Sequence, residues 1–215
     1  TYNANGGTTS NTNEQKTDGA ALTIGAAATR TGYTFNKWVD QSGGQWDPAA
    51  TTTVTSNRYI FTATWTAIPR SVTYGLNGGT GSAPATLTGK TIGQIVTLDS
   101  TTATKAGYSF GGWLIGGTTY PAGASYTIST SDAAPTAVWN AATYSISYNG
   151  NGSTSGSVPG SGTYTTGGSY TAATNSGTLA KTGFTFADWN TNANGTGTDY
   201  AQSATNVTAT SDLIL

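Results

Sequence analysis

The stretch GYTFNKW occupies residues 32–38, and two close variants of it follow, GYSFGGW at residues 107–113 and GFTFADW at residues 183–189. Gly32, Gly107 and Gly183 open the three copies, so the spacing is about 75 residues. Recurrence at a fixed period is typical of an array of similar structural units. We therefore predict three tandem modules, residues 1–67, 68–141 and 142–215. We expect the first to be incomplete at its N-terminal end and the third at its C-terminal end, as in an excerpt from a longer array.

Other markers keep the same order in each module. YNANGG, YGLNGG and YNGNGS begin at Tyr2, Tyr74 and Tyr148, and FTATWT (residues 61–66) and PTAVWN (residues 135–140) close the first two modules. Short polar segments at residues 55–57, 130–132 and 210–212 are predicted to turn the chain into each closing strand. The Asn-Gly pairs predict tight turns, because both residues tolerate positive φ.

Between the turns the pattern is that of β-strands. In SVTYGL, Val72, Tyr74 and Leu76 alternate with polar residues, and YIFTATW does the same with larger side chains. No segment shows a sustained 3.6-residue apolar period, and Thr and Gly are poor helix formers. The predicted fold class is mainly β, with little or no helix.

The aromatic motif has an irregular parity. Tyr33 and Phe35 share one face of an extended strand, whereas Trp38, three residues further on, would face the other way. Either a bulge lies between Phe35 and Trp38, or both faces of the sheet are partly covered. The repetition favours a core role for the motif over a binding role. The predicted core landmarks are Tyr33, Phe35, Trp38, Trp65, Tyr108, Phe110, Trp113, Trp139, Phe184, Phe186 and Trp189.

Composition excludes several functions. Charged residues are 8% of the chain and the formal net charge is −1, so no basic surface is present to bind nucleic acid. No apolar run is long enough for membrane insertion within this segment. The chain has no His, Cys or Met, and so it lacks the usual general base and the thiolate and imidazole metal ligands. We predict no enzymatic activity, no catalytic residue, no cofactor and no metal.

The ordered landmarks resemble the Listeria–Bacteroides repeat, also called the internalin B-type B repeat. That pattern opens with Tyr-x-x-Asn-Gly-Gly, places a basic residue before Gly-Tyr-x-Phe-x-x-Trp, and closes with Ala-x-Trp. The basic residue here is Arg30, Lys105 or Lys181. The resemblance implies small β-grasp-like modules, an extracellular or bacterial cell-surface location, and a spacer or adhesive role without enzymatic activity.

Three groups of residues could form a binding or crosslinking site, and each also has a structural explanation. Trp46, Tyr120 and Tyr200 occupy equivalent turn-rich stretches and could stack on sugars, although their alignment favours packing. Residues 190–199 resemble a calcium loop but lack its acidic ligands. Lys105 and Lys181 could form isopeptide bonds with Asn, although Arg30 at the same position in the first module could not.

These observations predict a non-enzymatic stalk, spacer or fibre segment of a large bacterial extracellular protein. Two alternatives stay open. One is a carbohydrate-binding or adhesive module that uses exposed aromatic residues on surface glycans. The other is a filament subunit that assembles with other copies of itself.

Overall fold

The computed structural model describes residues 1–55, 59–100 and 103–215. Within these ranges all regular secondary structure is β-strand and no helix is present, which confirms the mainly β fold. The β-grasp-like arrangement stays a prediction. Of the predicted turn at residues 55–57, positions 56 and 57 lie outside the described residues.

The strands of the described ranges are short. In chain order they are β1 (Tyr2–Asn3), β2 (Ala21–Thr23), β3 (Tyr33–Val39), β4 (Gln45–Trp46), β5 (Thr51–Thr53), β6 (Phe61–Ala67), β7 (Arg70–Val72), β8 (Leu87–Lys90), β9 (Ile95–Thr97), β10 (Tyr108–Ile115), β11 (Thr118–Tyr120), β12 (Ser125–Thr127), β13 (Thr136–Ala141), β14 (Thr143–Ser147), β15 (Gly162–Thr165), β16 (Trp189–Asn190), β17 (Asp199–Tyr200) and β18 (Leu213–Ile214).

The chain divides into two compact units. Unit 1 comprises Thr1–Gly75, Pro84–Ser100 and Gly123–Pro135, and unit 2 comprises Leu76–Ala83, Thr101–Ala122 and Thr136–Leu215. Residues 68–141, the predicted second module, therefore contribute to both units. The boundaries of the three modules stay a prediction.

Unit 1 is built around a four-stranded sheet in the order β1-β6-β3-β4. The β2–β5 ribbon packs on the same core. Side chains alternate along β6, so that Phe61 and Ala63 are buried in this core. The buried core residues here are Leu22, Ile24, Ala28, Trp38, Val54, Phe61 and Ala63. Two further antiparallel pairs, β7–β8 and β9–β12, complete this unit.

Unit 2 contains a sheet in the order β11-β10-β13, a second in the order β15-β14-β18, and the β16–β17 hairpin. A core cluster lies in its C-terminal part, within residues 142–215. Its buried members are Ile146, Tyr148, Tyr164, Ala172, Leu179, Trp189, Val207 and Leu215.

The aromatic motif contains a bulge, which is one of the two arrangements that its parity allowed. Phe35 pairs with Trp65 and Trp38 with Ala63, so two residues of β3 stand opposite one residue of β6. In β10 the register shifts between Phe110 and Gly112, which adopts φ +124°. The extra residue returns the tryptophan to the core side of the sheet.

Candidate functional site

The motif tryptophans are internal. Trp38 and Trp113 have no exposed surface and Trp189 has 2%. The indole N–H of Trp38 donates to the carbonyl of Ala26 (3.3 Å), and that of Trp189 donates to the carbonyl of Ala173 (2.8 Å). Since ring faces and polar atoms are both engaged, these side chains are not available to a ligand.

Apart from Phe184, the other landmark aromatics are half-buried. Phe35 contacts Trp38 and Trp65 with ring centroids 5.3 and 5.7 Å apart, and Phe110 contacts Trp113 and Trp139 at 5.1 and 5.6 Å. Tyr33, Tyr108 and Phe186 are also half-buried.

The prediction that Phe184 belongs to the core is wrong, because 71% of its surface is exposed. In the first module, the equivalent Tyr33 pairs with Ala67 of the closing strand. Phe184 bridges only Lys181, and among the described residues no strand pairs with residues 185–188.

The opening turn connects the landmarks to one another. Asn5 (φ +48°) and Gly6 (φ +81°) form the centre of a tight turn closed by the Gly7 N–H on the Ala4 carbonyl (3.0 Å). The Asn77 and Asn151 turns have the same geometry. In the first two modules the side-chain amide of this asparagine donates to the carbonyl of the closing alanine.

The basic residue of each module stacks on the first aromatic of the motif. Arg30 lies 3.9 Å above the Tyr33 ring, and its guanidinium approaches the Asn5 carbonyl. Lys105 and Lys181 repeat this over Tyr108 and Phe184, 3.5 and 3.0 Å from the carbonyls of Asn77 and Asn151. The lysine Nζ atoms thus face main-chain carbonyls and aromatic rings, not the side-chain amides that an isopeptide bond requires.

The predicted ligand-binding aromatics each lie opposite a motif tryptophan. The register pairs are Trp38 with Trp46, Trp113 with Tyr120, and Trp189 with Tyr200. All three side chains are half-buried. They occupy one structural position but lie in separate modules, and a sugar-binding role for them stays a prediction.

Asp40 fixes the position of Trp46. Its carboxylate accepts hydrogen bonds from the Trp46 ring N–H (2.9 Å), the Ser42 hydroxyl (2.8 Å) and the Gly44 N–H (2.8 Å). Bonds from Trp46 and then Ser42 lower the pKa of Asp40 to about 2. Among the described residues it is the one buried charged side chain.

The loop at residues 190–199 is held by its own side chains. The Asn190 Oδ1 atom accepts from the N–H groups of Asn192 (2.7 Å) and Gly197 (3.1 Å), while its amide contacts Asp199. The Oδ1 atoms of Asn190 and Asp199 are therefore engaged in hydrogen bonds within the loop. Within the described ranges no group of three or more acidic, His or Cys side chains is placed to hold a metal ion.

Two open grooves flank the aromatic motif. In unit 1, a cavity of about 790 Å³ is lined by the opening turn, Arg30, Tyr33 and Trp65. In unit 2, a cavity of about 650 Å³ lies beside residues 184–195, with Asn151, Lys181 and Leu215 on its other sides.

The pairing of strands near the two ends of a module has no signal in the sequence. The strands β1 and β6 run parallel, with Tyr2 opposite Phe61, and β14 and β18 run parallel, with Ile146 opposite Leu213. In unit 1, Val72 and Ala133 form a parallel bridge of the same kind. In the first and third modules an opening strand therefore lies beside the strand that begins near the module's end.

A family model described as the Listeria-Bacteroides repeat domain matches residues 1–62, 71–133 and 144–215. The chain belongs to the Listeria–Bacteroides repeat family. Listeria–Bacteroides repeats occur in bacterial surface proteins, and the family is not a known enzyme family. No curated protein and no solved structure matches the chain.

The landmarks of this Listeria–Bacteroides repeat are thus mutually bonded structural positions. In the first two modules the turn, the basic residue, the aromatic motif and the closing strand contact one another. Among the residues that the structure describes, no helix is long and apolar enough to cross a membrane.

Proposed function

We propose that the chain is a non-enzymatic structural segment, a stalk, spacer or fibre, of a large bacterial surface protein, and that its modules resist stretching. The observation that supports this is the parallel pairing of β1 with β6 and of β14 with β18. A single parallel bridge between Val72 and Ala133 resembles it.

Parallel terminal strands respond to tension in a defined way. Pulling the two ends of a module draws the start of the first strand and the end of the last strand in opposite directions. Because the strands lie side by side and run parallel, they must slide along each other, and the hydrogen bonds between them are loaded together. Each hydrogen bond contributes only about 1 kcal/mol. The pair resists tension because all of its hydrogen bonds must break together.

Polar contacts extend these pairs at the start of the first strand. The Ser71 N–H donates to the Asp132 carboxylate (2.8 Å), and the Ser145 N–H donates to that of Asp212 (2.7 Å). The bond from Ser145 lowers the pKa of Asp212. Both aspartates come from the polar segments that precede the closing strands, which gives these segments a role in holding the pair.

Single-molecule force spectroscopy on the chain tests the proposal. We expect discrete unfolding events. Each should release about 220–250 Å, since the matched repeats have 62 to 72 residues and an extended chain spans about 3.5 Å per residue. The Asp212→Asn variant should lower the rupture force of one event, while Asp188→Asn, an exposed acid of the same module, should not. Smooth extension without events would contradict a load-bearing role.

The carbohydrate alternative has its own readout. Saturable binding on a glycan array, lost in Trp46→Ala while the fold is retained, would replace the structural role by an adhesive one. Under our proposal the array shows no saturable signal.

A further inference from the structure

Two structural elements meet where the first module passes into the second. There β6 ends at Ala67 and β7 begins at Arg70. The aromatic motif begins beside this point, because Tyr33 lies opposite Ala67. Strand β8 ends beside it as well, because Lys90 lies opposite Arg70. Antiparallel pairing therefore brings the start of the motif and the turn that follows β8 to the same place.

The turn that arrives at this place has a counterpart in the third module. Residues 91–94 form the turn after β8, and residues 165–168 form the turn at the end of β15. In each, the N–H of the fourth residue donates to the carbonyl of the first, at 3.0 and 2.8 Å, and the third residue is a glycine with φ of +79° or +82°. A glycine with positive φ at this position is typical of a type II turn. Ile92 and Thr166 therefore occupy the same position of the same kind of turn.

The first joint comprises Gly32, Ile68 and the turn at residues 91–94. The Ile68 N–H donates to the Gly32 carbonyl (2.9 Å). A Cβ atom at Gly32 would lie 2.5 Å from Cγ2 and 3.0 Å from Cβ of Ile92, and Ile92 is half-buried. The Ile92 side chain of the second module therefore packs directly on the bare backbone of the motif glycine of the first.

The second joint comprises Gly107, Ala142 and the turn at residues 165–168, and it repeats these contacts. The Ala142 N–H donates to the Gly107 carbonyl (2.8 Å), and the Ala142 carbonyl accepts from the Thr166 N–H (2.9 Å). A Cβ atom at Gly107 would lie 2.6 Å from Cγ2 of Thr166. Main-chain hydrogen bonds thus connect the motif of the second module to the turn of the third through one residue.

Both joints lie inside compact units. All residues of the first joint belong to unit 1, and all residues of the second belong to unit 2. Boundaries between independent bodies fall where few contacts cross. Since neither joint is such a boundary, the contacts at each joint are part of a packed unit and not a free linker.

We propose that the glycine that opens the aromatic motif is the docking position for the turn of the following module, and that this contact closes each joint so that it does not act as a hinge. The partner surface is a type II turn with a β-branched residue at its second position. Ile92 and Thr166 suit this role, because β-branched side chains have few rotamers to lose on docking. The inference goes beyond the mechanical role, because a joint can be closed in a chain whose modules unfold at low force.

Residual dipolar couplings of the ¹⁵N-labelled chain test whether the first joint is closed. In the unmodified chain, the couplings from β3 and β6 and those from β8, β9 and β12 should fit one alignment tensor. In Gly32→Ala the added methyl group displaces Ile92, so the two sets should require separate tensors of different magnitude. Separate tensors in the unmodified chain, or a single tensor in Gly32→Ala, would overturn the proposal.

Gly183→Ala is the matched control for backbone strain. Gly183 has a φ of +81°, close to the +79° of Gly32, and no described atom lies within 4 Å of a Cβ built on it. The two alanine variants therefore carry similar strain, and only one of them meets a turn. Gly183→Ala should keep the single tensor at the first joint, and a loss of that tensor would show that strain alone explains the effect.

A double-mutant cycle separates docking from local damage. The three atoms nearest to a methyl group at Gly32 all belong to Ile92, so Ile92→Gly removes the clash that Gly32→Ala creates. Amide hydrogen exchange of β3 should show that the double variant is more protected than the two single losses predict, by about tenfold, which is typical of residues in contact. Where Gly32→Ala leaves the first module unfolded, the double variant should recover it. Additive losses, or no recovery, would overturn the proposal.

Thr166 provides a test at the second joint in the opposite direction. Its hydroxyl oxygen is buried and has no hydrogen-bond partner among the described residues. Thr166→Val keeps the shape that packs on Gly107 and removes the unsatisfied hydroxyl, so amide protection of β15 should rise about fivefold or more. Thr163→Val, at an exposed position of the same strand, should leave it unchanged. Equal protection in the two variants would overturn docking at this joint.

Discussion

The side-chain amide of Asn5 donates a 3.0 Å hydrogen bond to the main-chain carbonyl of Ala63, 58 residues along the chain. Asn77 and Ala137 form the same 3.0 Å bond in the second module. This bond joins the opening turn to the closing strand, so two landmarks that are far apart in sequence are one structural contact.

Replacing Asn5 by glycine should isolate that contact. Glycine adopts the φ of +48° that Asn5 has, so the main loss is the hydrogen bond, about 1 kcal/mol of unfolding free energy. Asn5→Ala should lose about 1 kcal/mol more, because alanine resists the left-handed region. Amide hydrogen exchange of residues 33–39 measures the loss, and Asn13→Gly, at an exposed position, is the control. Equal stability of the glycine and alanine variants would contradict the turn geometry.

Gly79 should not tolerate a methyl group. Its Cβ would overlap the Trp139 ring, and the Leu76 carbonyl oxygen would lie 3.1 Å away. We expect Gly79→Ala to lower the unfolding free energy by about 1–3 kcal/mol, as overpacking does. Gly160→Ala, with nothing within 4 Å of the added atom, should change it by less than about 0.5 kcal/mol. Urea denaturation of the two variants makes the comparison, and similar midpoints would rule out the close packing.

Asp40 should make the first module sensitive to acid. Its folded-state pKa of about 2 lies below the unfolded value of about 3.9. The stabilisation is therefore full above about pH 4 and is lost as pH falls towards 2. Asp40→Asn should destabilise the module at pH 7, and its difference from the unmodified chain should shrink between pH 4 and pH 2.

Unfolding curves at pH 7, 4 and 2.5 provide the measurement, with Asp18→Asn as an exposed control. A double-mutant cycle with Trp46→Phe, which removes the ring N–H, should show that the two losses are not additive. Additive losses would mean that the Asp40–Trp46 bond is not the cause.

Patterns local to the motif could be read from sequence. The spacing of Phe35 and Trp38 predicted either a bulge or two partly covered faces, and the structure has a bulge. The contact between Asn5 and Ala63 could not be read in this way, because it depends on which strands become neighbours. The burial of Phe184 was predicted wrongly for the same reason. Phe184 occupies the motif position of Tyr33, but the described residues place no strand beside it as they place Ala67 beside Tyr33.

The parallel pairing of terminal strands was likewise invisible in the local pattern. A two-residue strand such as β1 is too short to show a periodic pattern in the sequence. Its partner in β6 is also distant, since Tyr2 pairs with Phe61, 59 residues along the chain.

If the parallel pair β1–β6 bears the load, the rupture force of the first module depends on the direction of pulling. The chain has no cysteine, so paired cysteine handles can load chosen strands of the first module. Handles at Thr1→Cys and Pro69→Cys slide β1 along β6, whereas handles at Thr31→Cys and Pro69→Cys peel the antiparallel pair β3–β6 from one end. We expect a clearly higher rupture force for the first pair of handles, and an equal or lower force would contradict a load-bearing role of the β1–β6 pair.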